Sequence, residues 1–70
     1  MKNEAEMIGI NIKCALVRAG YTCKSFSEKT RISEGTLSRI INGKNDARIF
    51  TLLSIAKALK IDVKEFFEGL

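Results

Sequence analysis

Two helix-starting hydroxyls, Thr22 and Ser33, stand so close in the chain that only a short helix fits behind the first. Ser and Thr cap helices because the side-chain oxygen accepts one of the amides that a first turn leaves without a partner. A helix begun at Cys23 runs to about Thr30 with Phe26 pointing inward. One begun at Glu34 runs to about Ile41 and buries Leu37 and Ile40. Only Arg31 and Ile32 separate the first from the cap of the second, so the two must cross at a steep angle. Glutamate is missing three residues after Thr22, where Ser25 stands, so no capping box is expected there.

The flanking segments read as helices too. Ile8, Ile12, Leu16 and Ala19 recur at spacings of four, four and three, one stripe of a helix, and Gly20 suits the left-handed position that ends it. Asn42-Gly43 stops the third helix, since both residues tolerate positive φ. After a polar loop, a fourth helix starts between Arg48 and Thr51 and ends near Leu59, with Ile49, Leu52, Leu53, Ala56 and Leu59 inside. Phe50 sits beside Ile49, and only one of two helical neighbours can face inward. Asp62 caps a short fifth helix, with Glu65 as its capping-box partner and Val63, Phe66 and Phe67 as its apolar residues. There is no proline and no alternating run of strand length. The expectation is an all-α, five-helix single domain over residues 1–70, with a helix-turn-helix in helices two and three.

Composition excludes several functions. A chain of 70 residues hides only about 60% of its unfolded surface, too little core for a catalytic cleft walled on several sides. Histidine is absent, which removes the commonest general base and metal ligand. Cys14 and Cys23 are too few for a disulfide framework or a four-ligand zinc site. With no spaced acid pair and no phosphate-cradling glycine loop, no enzyme, cofactor or metal is expected. Apolar residues make up 46% and charged residues 29%, the balance of a folded soluble protein. No apolar run approaches the ~18 residues of a membrane span, and no signal-peptide core is present, so a cytoplasmic protein without a membrane partner is expected. The net charge of +4 is uneven: residues 13–48 hold eight Lys and Arg against three acids. A basic middle between near-neutral flanks suits a face shown to a polyanion, or else a lysine-rich surface kept for solubility.

Residues 8–67 resemble the lambda-repressor-like helix-turn-helix family of phage Cro and repressor proteins, also called the xenobiotic-response-element type. The resemblance is carried by Ser33-Glu-Gly-Thr-Leu-Ser-Arg-Ile-Ile-Asn-Gly-Lys44, Thr51-Leu-Leu-Ser-Ile-Ala-Lys-Ala-Leu59 and Asp62-Val-Lys-Glu-Phe-Phe67, in order and with the right gaps. It implies a homodimer that sets helix three of each subunit in the major groove of double-stranded DNA, at half-sites ~34 Å apart. The implied work is binding a palindromic operator as a transcriptional regulator, a repressor above all, with no small-molecule ligand.

The resemblance places Glu34, Gly35, Thr36 and Arg39 toward the bases, with Ser38 on the border. Arg39 can donate two hydrogen bonds to guanine, worth ~1–3 kcal/mol of discrimination. Thr36 can bond a base edge or rest its methyl on thymine, Glu34 can accept from cytosine, and Gly35 reads nothing. Relatives often carry glutamine where Glu34 stands, and an acid there also stabilises a helix start. Phosphate-facing candidates are Thr22, Cys23, Lys24, Ser33, Asn42, Lys44 and Asn45, because helix starts and short polar side chains offer donors to phosphate. Arg18 and Arg48 are further candidates. Cys23, at a helix start, is a candidate for redox sensitivity or simply a tolerated small residue.

Three departures from the family pattern stand out. Leu16 and Ile41 replace an Arg–Glu pair that relatives use to bridge helices one and three, so a Leu16–Ile41 contact is expected. Arg31 stands where the turn commonly has glycine. Ser27 stands for alanine where helices two and three cross. Phe50, Phe66, Phe67 and Leu70 are too many apolar groups for so small a core: some of the rings are expected inside it, and the remainder at a symmetric dimer interface through the C-terminal helix and part of helix four. The rival reading is a protein-interaction module of the same fold, antitoxin-like or an anti-regulator, which Glu34 and Gly35 at the reading positions favour.

Overall fold

The computed structural model describes residues 3–44 and 48–70. Among them are four α-helices and one short 3-10 helix: α1 Glu4–Arg18, α2 Cys23–Thr30, α3 Glu34–Ile41, α4 Ile49–Leu59, and the 3-10 helix Val63–Phe67. The fifth element is thus not an α-helix. Asp62 accepts from the Lys64 amide at 3.0 Å, while the Glu65 amide bonds the Asp62 backbone carbonyl, so the expected Asp62–Glu65 capping box gives way to a tight turn.

Local hydrogen bonding sets the boundaries of the first three helices. Asn3 and Glu6 form a capping box on α1. Thr22 caps α2, and Ser25 closes a capping box after all, with the Thr22 amide donating to Ser25 Oγ at 2.9 Å. A serine hydroxyl reaches as far as this geometry needs, so the missing glutamate is no obstacle. Ser33 caps α3 through the Thr36 amide. The C-terminal ends repeat one pattern. At α1 the Gly20 amide bonds Val17 O and the Tyr21 amide bonds Leu16 O. At α3 Gly43 bonds Ile40 O and Lys44 bonds Arg39 O, and at α4 Lys60 bonds Lys57 O and Ile61 bonds Ala56 O. This is the Schellman closure, which needs a left-handed residue. Gly20 (φ +81°) and Gly43 (φ +67°) supply it without strain, and Lys60 (φ +59°) with strain. Asn42 stays at φ −87°, so glycine alone takes the positive φ in the Asn42-Gly43 stop. Arg31, the turn residue, sits at φ +67°.

The core is formed by Ile12 and Leu16 of α1, Phe26 of α2, Leu37 and Ile40 of α3, Leu52, Ile55 and Ala56 of α4, and Phe66. Burying each of the larger side chains contributes roughly 1.5–3 kcal/mol. Three expectations about inward faces are corrected here. Ala19 is the exposed cap of α1, not part of its stripe. In α4, Ile49 and Leu53 face solvent at 52% and 42% exposure, and Ile55 is buried instead. Phe50 is 79% exposed as well, so neither neighbour of the Ile49–Phe50 pair turns inward. Thr51, Ser54 and Lys57 mark one side of the helix as polar, but the apolar residues cover the rest, a wider arc than the core takes up.

Two polar or small positions hold α1 against the rest. At Gly9, buried in α1, a Cβ would collide with the backbone carbonyls of Ile40 and Ile41. The absent side chain therefore lets α1 lie directly on the last turn of α3. Asn11 Nδ2 donates to Phe66 O at 3.0 Å and to Glu68 O at 2.8 Å, tying the chain end to α1. Leu16 and Ile41 line one cleft within the same apolar cluster.

Candidate nucleic-acid interface

Helix α3 turns about 100° per residue, so residues four apart share a side. Its inner side is Leu37 and Ile40, both buried. Its outer side therefore carries Glu34, Gly35, Ser38 and Arg39, all exposed, while Thr36 is half-buried. Four of the five base-reading candidates stand free on one face. Thr36 is tied to the helix start: Ser33 Oγ accepts the Thr36 amide at 3.1 Å and donates to Thr36 Oγ1 at 2.8 Å. Asn42 Nδ2 donates to Ser38 Oγ at 3.3 Å, joining the end of α3 to its outer side.

The phosphate-facing candidates lie at the start of α2 and at the two ends of α3. Thr22 and Lys24 are exposed at the start of α2, and Cys23 is half-buried. The first turn of α2 contains no acid. Ser33, Asn42 and Lys44 are exposed at the two ends of α3, and the Lys44 backbone amide donates to Arg39 O. Arg18 and Arg48 are exposed. Asn45 lies outside the described residues. The segment 22–44 holds five basic side chains against two acids, Glu28 and Glu34. An excess of basic groups attracts a polyanion, whose condensed counterions are released on binding.

The apolar candidates divide. Phe66 is fully buried and so unavailable to any partner, a correction to its expected place at an interface. Its ring fills the core because Asn11 and the 3-10 turn hold the chain end over α1. Phe67 is half-buried against the same cluster. Phe50 and Leu70 are exposed, and Ile49 and Leu53 join Phe50 on the outside of α4.

Sequence reasoning missed Gly9 and Asn11, which position α3 and the chain end. The signal for Gly9 was an isolated glycine inside a helical pattern, a costly choice unless another backbone passes close. Asn11 had no comparable signal, because its partners lie 55 and 57 residues away. Among the described residues no cluster of His, Cys, Asp and Glu could hold a metal ion, and no helix is long and apolar enough to cross a membrane.

Comparison with known families yields a match to a helix-turn-helix family model over residues 12–66. Searches of curated proteins and of solved structures each returned no match.

Proposed function

This chain belongs to the lambda-repressor-like helix-turn-helix family, a family of DNA-binding transcription regulators, and on that premise we propose that it is a sequence-specific repressor. It binds a palindromic operator as a homodimer, with α3 of each subunit in the major groove. The observation that carries this reading is the outer side of α3, where Glu34, Ser38 and Arg39 stand exposed opposite buried Leu37 and Ile40. A helix with hydrogen-bonding groups on its free side and apolar groups beneath is suited to reading base edges. Thr22, Cys23, Lys24, Ser33, Asn42, Lys44 and Asn45 are assigned to phosphates, which set register without reading sequence.

The proposed dimer contact is the outer strip of α4, Ile49, Phe50 and Leu53, with Phe67 and Leu70 of the chain end. Exposed apolar groups gathered on one helix support a protein contact. A symmetric pair is the arrangement that a palindromic operator calls for.

Selection of binding sites from random duplexes tests the proposal. The wild-type chain should enrich one palindrome. Arg39→Ala should lose preference at one base of each half-site, by ~1–3 kcal/mol. Lys44→Ala should weaken all sites alike and lower the salt slope by about one. The protein-interaction reading is favoured by the exposed acid Glu34 on the reading face. Failure to enrich any duplex would install it.

A further inference from the structure

We propose that a second copy of this chain docks along the free side of α1, antiparallel to it, through Met7, Ile10, Cys14 and Val17. The contact is separate from the α4 strip assigned above to the dimer, and it does not rest on DNA binding.

Helix α1 buries Gly9, Ile12 and Leu16. A surface helix ordinarily keeps the opposite side polar. Here that side is apolar. Ile10 is 37% and Val17 64% exposed, Cys14 is exposed, and half-buried Met7 continues the row. The row advances by three, four and three residues, the spacing with which one helix presents a seam to another. At about 100° per residue, Glu6 and Lys13 border one edge of the seam, and Glu4, Asn11 and Arg18 the other. Charged margins around an apolar row are the pattern of a helix that pairs with a helix.

The charges choose the occupant and its direction. Both acids of α1, Glu4 and Glu6, lie in its first turn, and its basic residues, Lys13 and Arg18, lie in its second half. An antiparallel copy sets the acidic end of each helix against the basic end of the other. With the two-fold axis level with Ile12, Met7 lies opposite Val17 and Ile10 opposite Cys14, so the whole row is covered at once. Glu4 then comes beside the partner's Arg18 at both ends, and Lys13 near the axis can extend to water. A parallel copy would instead set Lys13 beside the partner's Arg18 twice, like charge against like.

So narrow a seam makes a weak contact. It gains strength where copies are already held together, so pairs joined through α4 meet further pairs through α1.

Cross-linking of full-length chains without DNA tests the proposal, so the fate of the operator reading does not affect the result. One chain keeps Cys14 as its single thiol, by Cys23→Ser. The other carries Ile10→Cys, Cys14→Ser and Cys23→Ser. After mild oxidation with diamide, the mixture should give a disulfide-linked pair, and either chain alone several times less. In sedimentation of the Phe50→Ser chain, Val17→Glu should weaken the remaining self-association roughly tenfold or more. Arg18→Glu should weaken it too, and Glu4→Lys added to Arg18→Glu should restore it. The proposal is overturned if no linked pair forms, if the yield is the same in all three samples, or if the Cys14 chain alone links best. It is equally overturned if Glu4→Lys fails to restore the association that Arg18→Glu removes.

Discussion

Helices α3 and α4 solve the same packing problem and then diverge on the side that packing leaves free. Each buries one stripe, Leu37 and Ile40 in α3, and Leu52, Ile55 and Ala56 in α4. The outer side of α3 shows Glu34, Gly35, Ser38 and Arg39, while that of α4 shows Ile49, Phe50 and Leu53. A polar free side costs little in water and suits a hydrogen-bonding partner. An apolar free side leaves roughly the cost of hydrating three large side chains unrelieved, and a protein surface relieves it. Within one small domain, neighbouring helices thus present one polar and one apolar free side, which the proposed function gives to DNA and to a second copy of the chain. The fold fixes the inner sides and leaves the outer sides free.

The contrast can be broken most severely at its aromatic residues. Phe66→Ala empties a buried site and should destabilise the domain by about 3–5 kcal/mol in denaturant unfolding. Phe50→Ser, on the outer strip of α4, should leave monomer stability within about 0.5 kcal/mol. It should instead reduce self-association in sedimentation at high micromolar concentration. If Phe50→Ser unfolds the chain and leaves association unchanged, the distinction between inner and outer sides of α4 is lost.

Two glycines sharpen the difference further, because the same substitution should have opposite signs. Gly9→Ala forces a Cβ against the carbonyls of Ile40 and Ile41, which cannot move without shifting α3. Overpacking of this kind should cost about 1–3 kcal/mol, read as a lowered melting temperature. Gly35→Ala on the outer side of α3 meets nothing within 4 Å. It should stabilise the helix by up to about 1 kcal/mol in the same measurement. Equal effects at the two sites would deny that α1 fixes the position of α3.

The smallest effect lies in the turn between α2 and α3. Arg31 adopts a left-handed backbone at φ +67°. Such a conformation costs a non-glycine residue about 1–2 kcal/mol, and glycine in the unfolded chain gives back part of that. Arg31→Gly should therefore raise stability by up to about 1 kcal/mol by calorimetry. A loss of stability would show that the Arg31 side chain, not its backbone, matters to the turn.

What was legible in the chain followed from interactions spanning a few residues. Thr22 and Ser33 announced the starts of α2 and α3, and Gly20 and Gly43 the ends of α1 and α3, because caps and left-handed closures are made by neighbours in sequence. The free side of α3 was legible for the same reason: once its ends are set and Leu37 and Ile40 turn inward, Glu34, Ser38 and Arg39 can only face out. The facing of α4 was legible only in part, because Thr51, Ser54 and Lys57 mark its polar side but the apolar arc left over is wider than the buried stripe. The fate of Phe66 was hidden as well, since an aromatic near a chain end reads equally as core or as interface. Its burial depends on Asn11, more than fifty positions earlier.

The order of the amino acids alone determined where the helices begin and end and which side of α3 is free, because hydroxyl caps and glycine closures act over one turn of chain. Tertiary structure decided which side of α4 is buried, that Phe66 belongs to the core, and that α1 rests on α3 through Gly9. Each of these depends on which distant segment comes to lie alongside. Burial in a small core is a competition among all its apolar groups for the same volume.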